Sequence, residues 1–234
     1  MPEMASRTPI GRFAQLIQAA TQVFLKQGYR RTQMSDVAEA MGVAKGTLYL
    51  YVESKEALFD AVLRLADQPT LQDLGHRLPL PTPAPGDTLR EVEKRVSEEA
   101  SLPTLIAALG RKRVSGVQKE TEEILRELYA VLSRHRTAIQ LLDRCSEDHP
   151  DLAAVWYRTG REGALGLLTD YLKDRARRGF LRIPGDAAVS ARIVLETVTF
   201  WAVHHHFDPS PQSVEEGVAT DTVVGFILAA LTEE

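Results

Sequence analysis

Cysteine is all but missing from this chain of 234 residues. Its one thiol, Cys145, cannot close an internal disulfide and suits a reducing compartment, the cytoplasm. Long apolar runs are missing too. None reaches the roughly 18 residues that cross a bilayer, and the first residues lack the apolar core of a signal peptide. No stretch alternates apolar and polar residues over the length of a strand, so the pattern predicts an all-α fold. There is no glycine-rich phosphate loop, no G-x-S-x-G, and no cysteine with a suitably placed base. The carboxylates, though plentiful, fall on helical faces that read as solvated. Neither an enzyme nor a cofactor is expected.

What is present is unevenly charged. The net charge of −4 argues against a protein that coats DNA indiscriminately. Residues 1–66 hold eight Lys or Arg against six Asp or Glu, a balance of +2, and the remaining 20 and 26 give −6. A mildly basic head on an acidic body suits a protein that presents one end to DNA.

Met1 to Pro9 reads as a mobile arm, and Gly11 to Gly28 as a first helix with Phe13, Leu16, Ile17, Ala20, Val23 and Phe24 on one stripe. Arg30 and Arg31 follow as candidate phosphate contacts or solvated loop residues. The informative stretch is Thr32 to Leu58, TQMSDVAEAMGVAKGTLYLYVESKEAL. Thr32 reads as an N-cap, Val37, Ala38 and Met41 as a buried stripe, and Gly42 as the left-handed residue that ends a helix. Val43 plugs the turn, Ala44 starts a second helix reaching Tyr51, and Ser54 caps a third. Helix, glycine turn, helix is the pattern whose second helix lies in a DNA major groove.

The second helix carries Lys45, Gly46, Thr47, Tyr49 and Tyr51 outward, with Leu48 and Leu50 available to pack inward. Gly46 costs roughly 1 kcal/mol against Ala in a helix. Either a close approach to DNA or relief of packing against the preceding helix accounts for it. Lys45 reaches a guanine edge or a phosphate, and Thr47 a base edge or a thymine methyl. Tyr49 and Tyr51 are long enough for phosphates, and Lys55 adds a cation beside free helix N–H groups.

The string T-x-x-x-DVAEAMGVAK followed by GTLYLYVESKEAL closely resembles the DNA-binding signature of TetR-family transcriptional regulators, usually T-x-x-x-IA-x-x-AGVS-x-GTLY-x-YF-x-SKE-x-L. The matches include Thr32, Ala38, Gly42, Val43, Gly46, Thr47, Leu48, Tyr49, Tyr51, Ser54, Lys55, Glu56 and Leu58. Val37, Met41, Ala44 and Val52 depart from it, and Ala44 removes a hydroxyl that would cap the recognition helix or touch a phosphate. The resemblance covers the first quarter of the chain. The residues and the resemblance together make Arg31, Thr32, Ala44, Lys45, Gly46, Thr47, Tyr49, Tyr51 and Lys55 the expected DNA contacts. The resemblance further implies a body that binds a small-molecule effector, and a third helix, Leu58–Leu65, whose tilt sets the spacing of two recognition helices.

Beyond Pro69, which stops that helix, LPLPTPAPGD (78–87) reads as an exposed linker, and we divide the chain near residue 67: 1–66 for DNA, 67–234 for effector and dimer. Helices are expected over Thr88–Leu109, broken at Pro103, then over Gln118–Leu132 and Asp151–Arg178, with His135–Cys145 either turning the chain or continuing the helix before it. The last two are Ala187–Phe207 and Ser213–Leu231, separated by Asp208-Pro209-Ser210-Pro211. Both are apolar on more than one side. A four-helix homodimer interface through Val194, Val198, Val223, Val224, Ile227 and Leu231 would cover the second side, with Gly225, Ala229 and Ala230 permitting close crossing.

Tyr129, Trp156, Tyr157, Tyr171, Phe200 and Trp201 concentrate in the body as candidate lining of an effector pocket, and as ordinary core. Arg161 and Glu162 stand ready to orient a polar ligand or simply face solvent. His204, His205 and His206, with Cys145, raise a metal or redox sensor. Consecutive helical positions diverge by about 100°, so the three histidines do not converge on one ion, and no metal site is assigned. The sequence therefore predicts a homodimeric repressor on a palindromic operator, released by an apolar or amphipathic effector. The rivals are a metal- or redox-responsive regulator and a helical ligand-binding or scaffold protein.

Overall fold

A computed structural model describes residues 9–67, 78–210 and 212–232. The arm over positions 1–8, Pro69 and Pro211 lie outside the described residues. Within them the fold is all-α, with one isolated backbone bridge, Val52 to Leu80, and no helix long and apolar enough to cross a membrane. The helices are α1 Pro9–Gln27, α2 Met34–Met41, α3 Lys45–Leu48, α4 Lys55–Leu65, α5 Asp87–Glu99 and α6 Pro103–Gly110. They continue as α7 Val117–Arg134, α8 Arg136–Arg144, α9 Pro150–Val155, α10 Glu162–Arg177, α11 Ala187–Ala202 and α12 Glu216–Leu231. A π-turn, Trp156–Arg161, joins α9 to α10, and a 3₁₀ turn, His204–Phe207, follows α11.

The chain forms two compact units: 1–94 with 137–155, and 95–136 with 156–234. A division at residue 67 leaves 137–155 with the body, whereas these residues fold with the head. The reason is polar as much as apolar. The Asp67 carboxylate accepts from the amides of Thr137 and Ala138, and the Arg144 guanidinium donates to the carbonyls of Leu25 and Lys26. Asp148 accepts from the Arg30 amide, and the His149 ring stacks on Phe59 and meets Tyr29 edge-on. The proline-rich segment is likewise not a free linker. Leu80 exchanges backbone hydrogen bonds with Tyr51 and Glu53, and the Thr82 hydroxyl bonds the Ser54 hydroxyl. Proline removes donors only at its own positions, so Leu80 and Thr82 keep theirs.

In the second unit α7, α10, α11 and α12 pack around Ile124, Leu128, Leu168, Leu172, Leu195 and Val198. Deep among them lies an ion cluster. Arg175, fully buried, donates to Glu120 at 2.8 Å, to the carbonyl of Ala108 at the end of α6, and to Asp174. Tyr171 joins through Thr121 at 2.8 Å and Glu120 at 3.3 Å. Burial alone would raise the Glu120 carboxyl, but Arg175, Arg111 and Tyr171 hold it below the usual glutamate value.

The face expected to dimerise needs correction. Val194, Val198, Val223, Val224, Ile227 and Leu231 are all buried by this chain's own helices. The apolar side chains left outside are Val189 and Ile193 on α11, and Val218 and Phe226 on α12, with Phe200 less exposed; Phe226 is 74% exposed. Both helices are apolar on two sides, and the periodicity gave no means of choosing which side faced inward.

Candidate nucleic-acid interface

The interface begins with how α2 and α3 are held. Gly42, at φ 66°, ends α2 in the left-handed conformation and donates to the carbonyls of Ala38 and Glu39. Thr32 does not cap α2. It is buried, its hydroxyl donates to the Gly28 carbonyl at 2.7 Å, and Gln33 takes the capping position, its amide donating to Asp36 at 2.8 Å. Ser54 caps α4 as its sequence position predicts, accepting from the Ala57 amide at 3.0 Å.

Helix α3 is one turn long, and the chain closes through 49–51 as a tight turn, with Tyr51 and Val52 amides on the Leu48 carbonyl. Gly46 and Thr47 are poor helix formers, which explains the early end. That brevity changes which side chains point out. Leu48 is fully buried and anchors the turn, whereas Leu50, available for inward packing in a longer helix, is 65% exposed. Tyr51 turns inward, its ring stacking on Phe13 at 6.3 Å, so its role as a surface phosphate contact is not supported. Ala44, Lys45, Gly46 and Tyr49 are exposed, and Thr47 is half-buried. A Cβ built on Gly46 meets nothing within 4 Å, which removes packing relief as its explanation.

Lys55 sits behind this face. Its ammonium donates to the carbonyls of Tyr29 at 3.1 Å and Thr32 at 3.0 Å and lies 4.3 Å from the centre of the Tyr29 ring. Two of its three donors are thus used to brace the approach to α2. Burial, then the Glu56 charge, pushes the Tyr29 phenol well above its usual value, and the phenol donates to Glu56 at 3.1 Å. Arg30 and Arg31 are exposed. Sequence reasoning missed Gln33 and Ser35, exposed at the start of α2, because it placed the cap one residue early.

The six aromatics of the expected effector pocket do not converge. Tyr171 belongs to the ion cluster, Tyr129 donates to the Trp201 carbonyl at 3.3 Å, and Tyr157 and Phe200 are exposed. Trp156 and Trp201 line two different crevices. Among the described residues no group of three or more His, Cys, Asp or Glu is placed to hold a metal ion. His205 is buried against Trp201, and His206 faces Glu216. Burial pushes the Cys145 thiol up to about 11, which makes it a poor redox sensor.

Comparison with known proteins places these features. Residues 16–62 match the profile of bacterial regulatory proteins of the tetR family. A curated relative from Bacillus subtilis, the uncharacterised HTH-type transcriptional regulator YvdT, is 35% identical over 33% of this chain and 38% of its own. The HTH-type transcriptional repressor KstR2 of Rhodococcus jostii is 39% identical over 23% of this chain and 26% of its own. The chain thus spans well under half the length of the curated relatives it matches. Among solved structures, the ketosteroid transcriptional regulator KstR2 of Mycobacterium tuberculosis aligns with TM-score 0.56 at 15% identity, over 95% of this chain and 96% of its own. SCO3833 from Streptomyces coelicolor aligns with TM-score 0.53 at 22% identity, over 93% and 91%. The helix-turn-helix is the part shared in sequence and the helical body is shared in fold alone: over residues 16–62 the chain is similar to bacterial regulatory proteins of the tetR family.

Proposed function

We propose that this protein is a homodimeric, one-component transcriptional repressor of the cytoplasm that reads an inverted-repeat operator and leaves it on binding a small molecule. The observation that carries the reading is the face built by α3. Ala44, Lys45, Gly46 and Tyr49 stand outside while a single buried residue, Leu48, holds them there. A surface of cation, hydroxyl and bare backbone suits a phosphate-lined groove. Lys45 and Thr47 would reach bases, Tyr49 and Arg31 phosphates, and Gly46 lets the backbone come close. Lys55 keeps one donor for a phosphate.

One such turn offers too little surface for specific binding, so two copies are required. The uncovered stripe of Val189, Ile193, Val218 and Phe226 supplies the means, joining α11 and α12 of two copies in a four-helix contact. We keep residues 1–66 as the DNA-reading part and assign effector binding and dimerisation to 67–234, with no catalytic role. The effector must favour the spacing that DNA disfavours, and DNA must weaken the effector in return.

The test is selection from a random duplex pool at two salt concentrations, alongside sedimentation of the free protein. An enriched inverted repeat, bound with a steep salt dependence by a dimer, is expected. Binding that is blind to sequence, or a monomer at micromolar concentration, overturns the reading.

A further inference from the structure

Where α9 becomes α10 the backbone widens into a π-turn, Trp156–Arg161, an uncommon device often found at functional positions. Its first residue lies on its fifth. A Cβ on Gly160 would stand 2.6 and 2.7 Å from Cε3 and Cζ3 of Trp156, so only glycine lets the indole lie where it does. Trp156 is 8% exposed, in a crevice walled by Leu102, Leu128, Leu132 and Leu195. About 20 Å³ in this crevice remains open to the centre of a water molecule, room for about one water beside the indole. Two polar side chains, Arg161 and Thr199, also line it.

Arg161 has a partner it can release. It pairs with Glu196, and Glu196 also accepts from Arg192 at 2.6 Å. A carboxylate arriving at Arg161 would therefore leave Glu196 paired rather than stranded. The walls take an apolar ring, the polar edge takes an anion, and the room for a ring is what the Trp156 indole would vacate. Mostly apolar pockets with a few polar groups at the edge accept aromatic guests.

We propose that this crevice is a ligand seat which Trp156 itself fills in the free chain, and that its ligand is a compact aromatic carboxylic acid that displaces the indole and takes Arg161 from Glu196. Gly160 is what permits both states, since it gives the ring a place to lie and a backbone to leave. The proposal rests on the regulator reading only for its consequence at DNA.

Trp201→Phe leaves Trp156 as the sole tryptophan, and acrylamide quenching of its fluorescence then reports the ring directly. Phenylacetate is the probe, with 2-phenylethanol as its uncharged counterpart. We expect a saturable rise of about twofold in quenching with phenylacetate, weakened about tenfold in affinity by Arg161→Gln, while the 2-phenylethanol response stays put. Gly160→Ala should give high quenching without any probe. In Trp156→Ala the vacated seat should raise the melting temperature on adding phenylacetate. Unchanged quenching at millimolar phenylacetate, or an Arg161→Gln protein that responds like its parent, overturns the proposal. Neither readout involves DNA: quenching that responds in a protein blind to operators sinks the regulator reading alone, and an operator binder whose Trp156 never moves sinks the seat alone.

Discussion

The two units bury and expose opposite things. The head buries apolar side chains and spends its polar groups on nearby backbone: Thr32 on Gly28, Ser54 on Ala57, Lys55 on Tyr29 and Thr32. It leaves Lys45, Gly46 and Tyr49 outside, a mainly polar face with Leu50 at its end. The body buries an ion cluster around Arg175 and leaves Val189, Ile193, Val218 and Phe226 outside. A unit whose exposed face is polar is complete as it stands, and its unused donors await a polar partner. One whose exposed face is apolar is finished only by another apolar surface. The head is thus a display, and the body a frame with an apolar face that its own helices leave uncovered.

The largest blow to that contrast should fall in the body. Arg175→Ala removes the 2.8 Å bond to Glu120 and the 2.6 Å bond to the Ala108 carbonyl. It leaves a buried carboxylate with half-exposed Arg111 as its only cationic partner among the described residues. Breaking one side of such a pair costs about 3–5 kcal/mol. Urea denaturation should show that loss, and hydrogen exchange should place it in α7 and α10 while α4 keeps its protection. A loss under about 1 kcal/mol would mean that the cluster is solvated in solution and the contrast overdrawn.

That cluster also shows what the sequence hides. Glu120 and Arg175 lie far apart in the chain, as do Arg136 and Glu216, and nothing in a helical period pairs them. The all-α class, Gly42, the Ser54 cap and the anchoring Leu48 were legible because each is decided within about four residues. The direction of α12 was not. With apolar residues on every side, periodicity is silent, and only tertiary packing separates buried Val223 and Ile227 from exposed Phe226. In the head the same limit appears at Tyr51, where the early end of α3 turned an expected surface phenol into a partner for Phe13.

A smaller effect sharpens the account of the head. Lys55→Met removes two charged hydrogen bonds to carbonyls from a half-buried site, an expected cost of about 1–2 kcal/mol after allowing for solvent. If the third donor also holds a phosphate, the salt slope of DNA binding should fall by about one unit as well. Lost stability with an unchanged slope would make Lys55 a brace alone, and the display would then depend on α3, Arg30 and Arg31.

The smallest change in folding energy makes the sharpest test of the display. Gly46 has open space around its missing Cβ, and its φ is not left-handed, so Ala fits without strain. Gly46→Ala should leave the fold intact and stabilise it by up to about 1 kcal/mol through helix propensity. Were glycine there for the chain's own packing, the substitution would destabilise. If it is there for the groove, the methyl group stands between backbone and DNA, and affinity for the selected operator should fall while the melting temperature holds or rises. Opposite movement of the two quantities separates a residue kept for binding from one kept for folding. A variant that binds as tightly as its parent would show that DNA does not approach α3 at Gly46, and would shift the contact toward Tyr49 and Leu50.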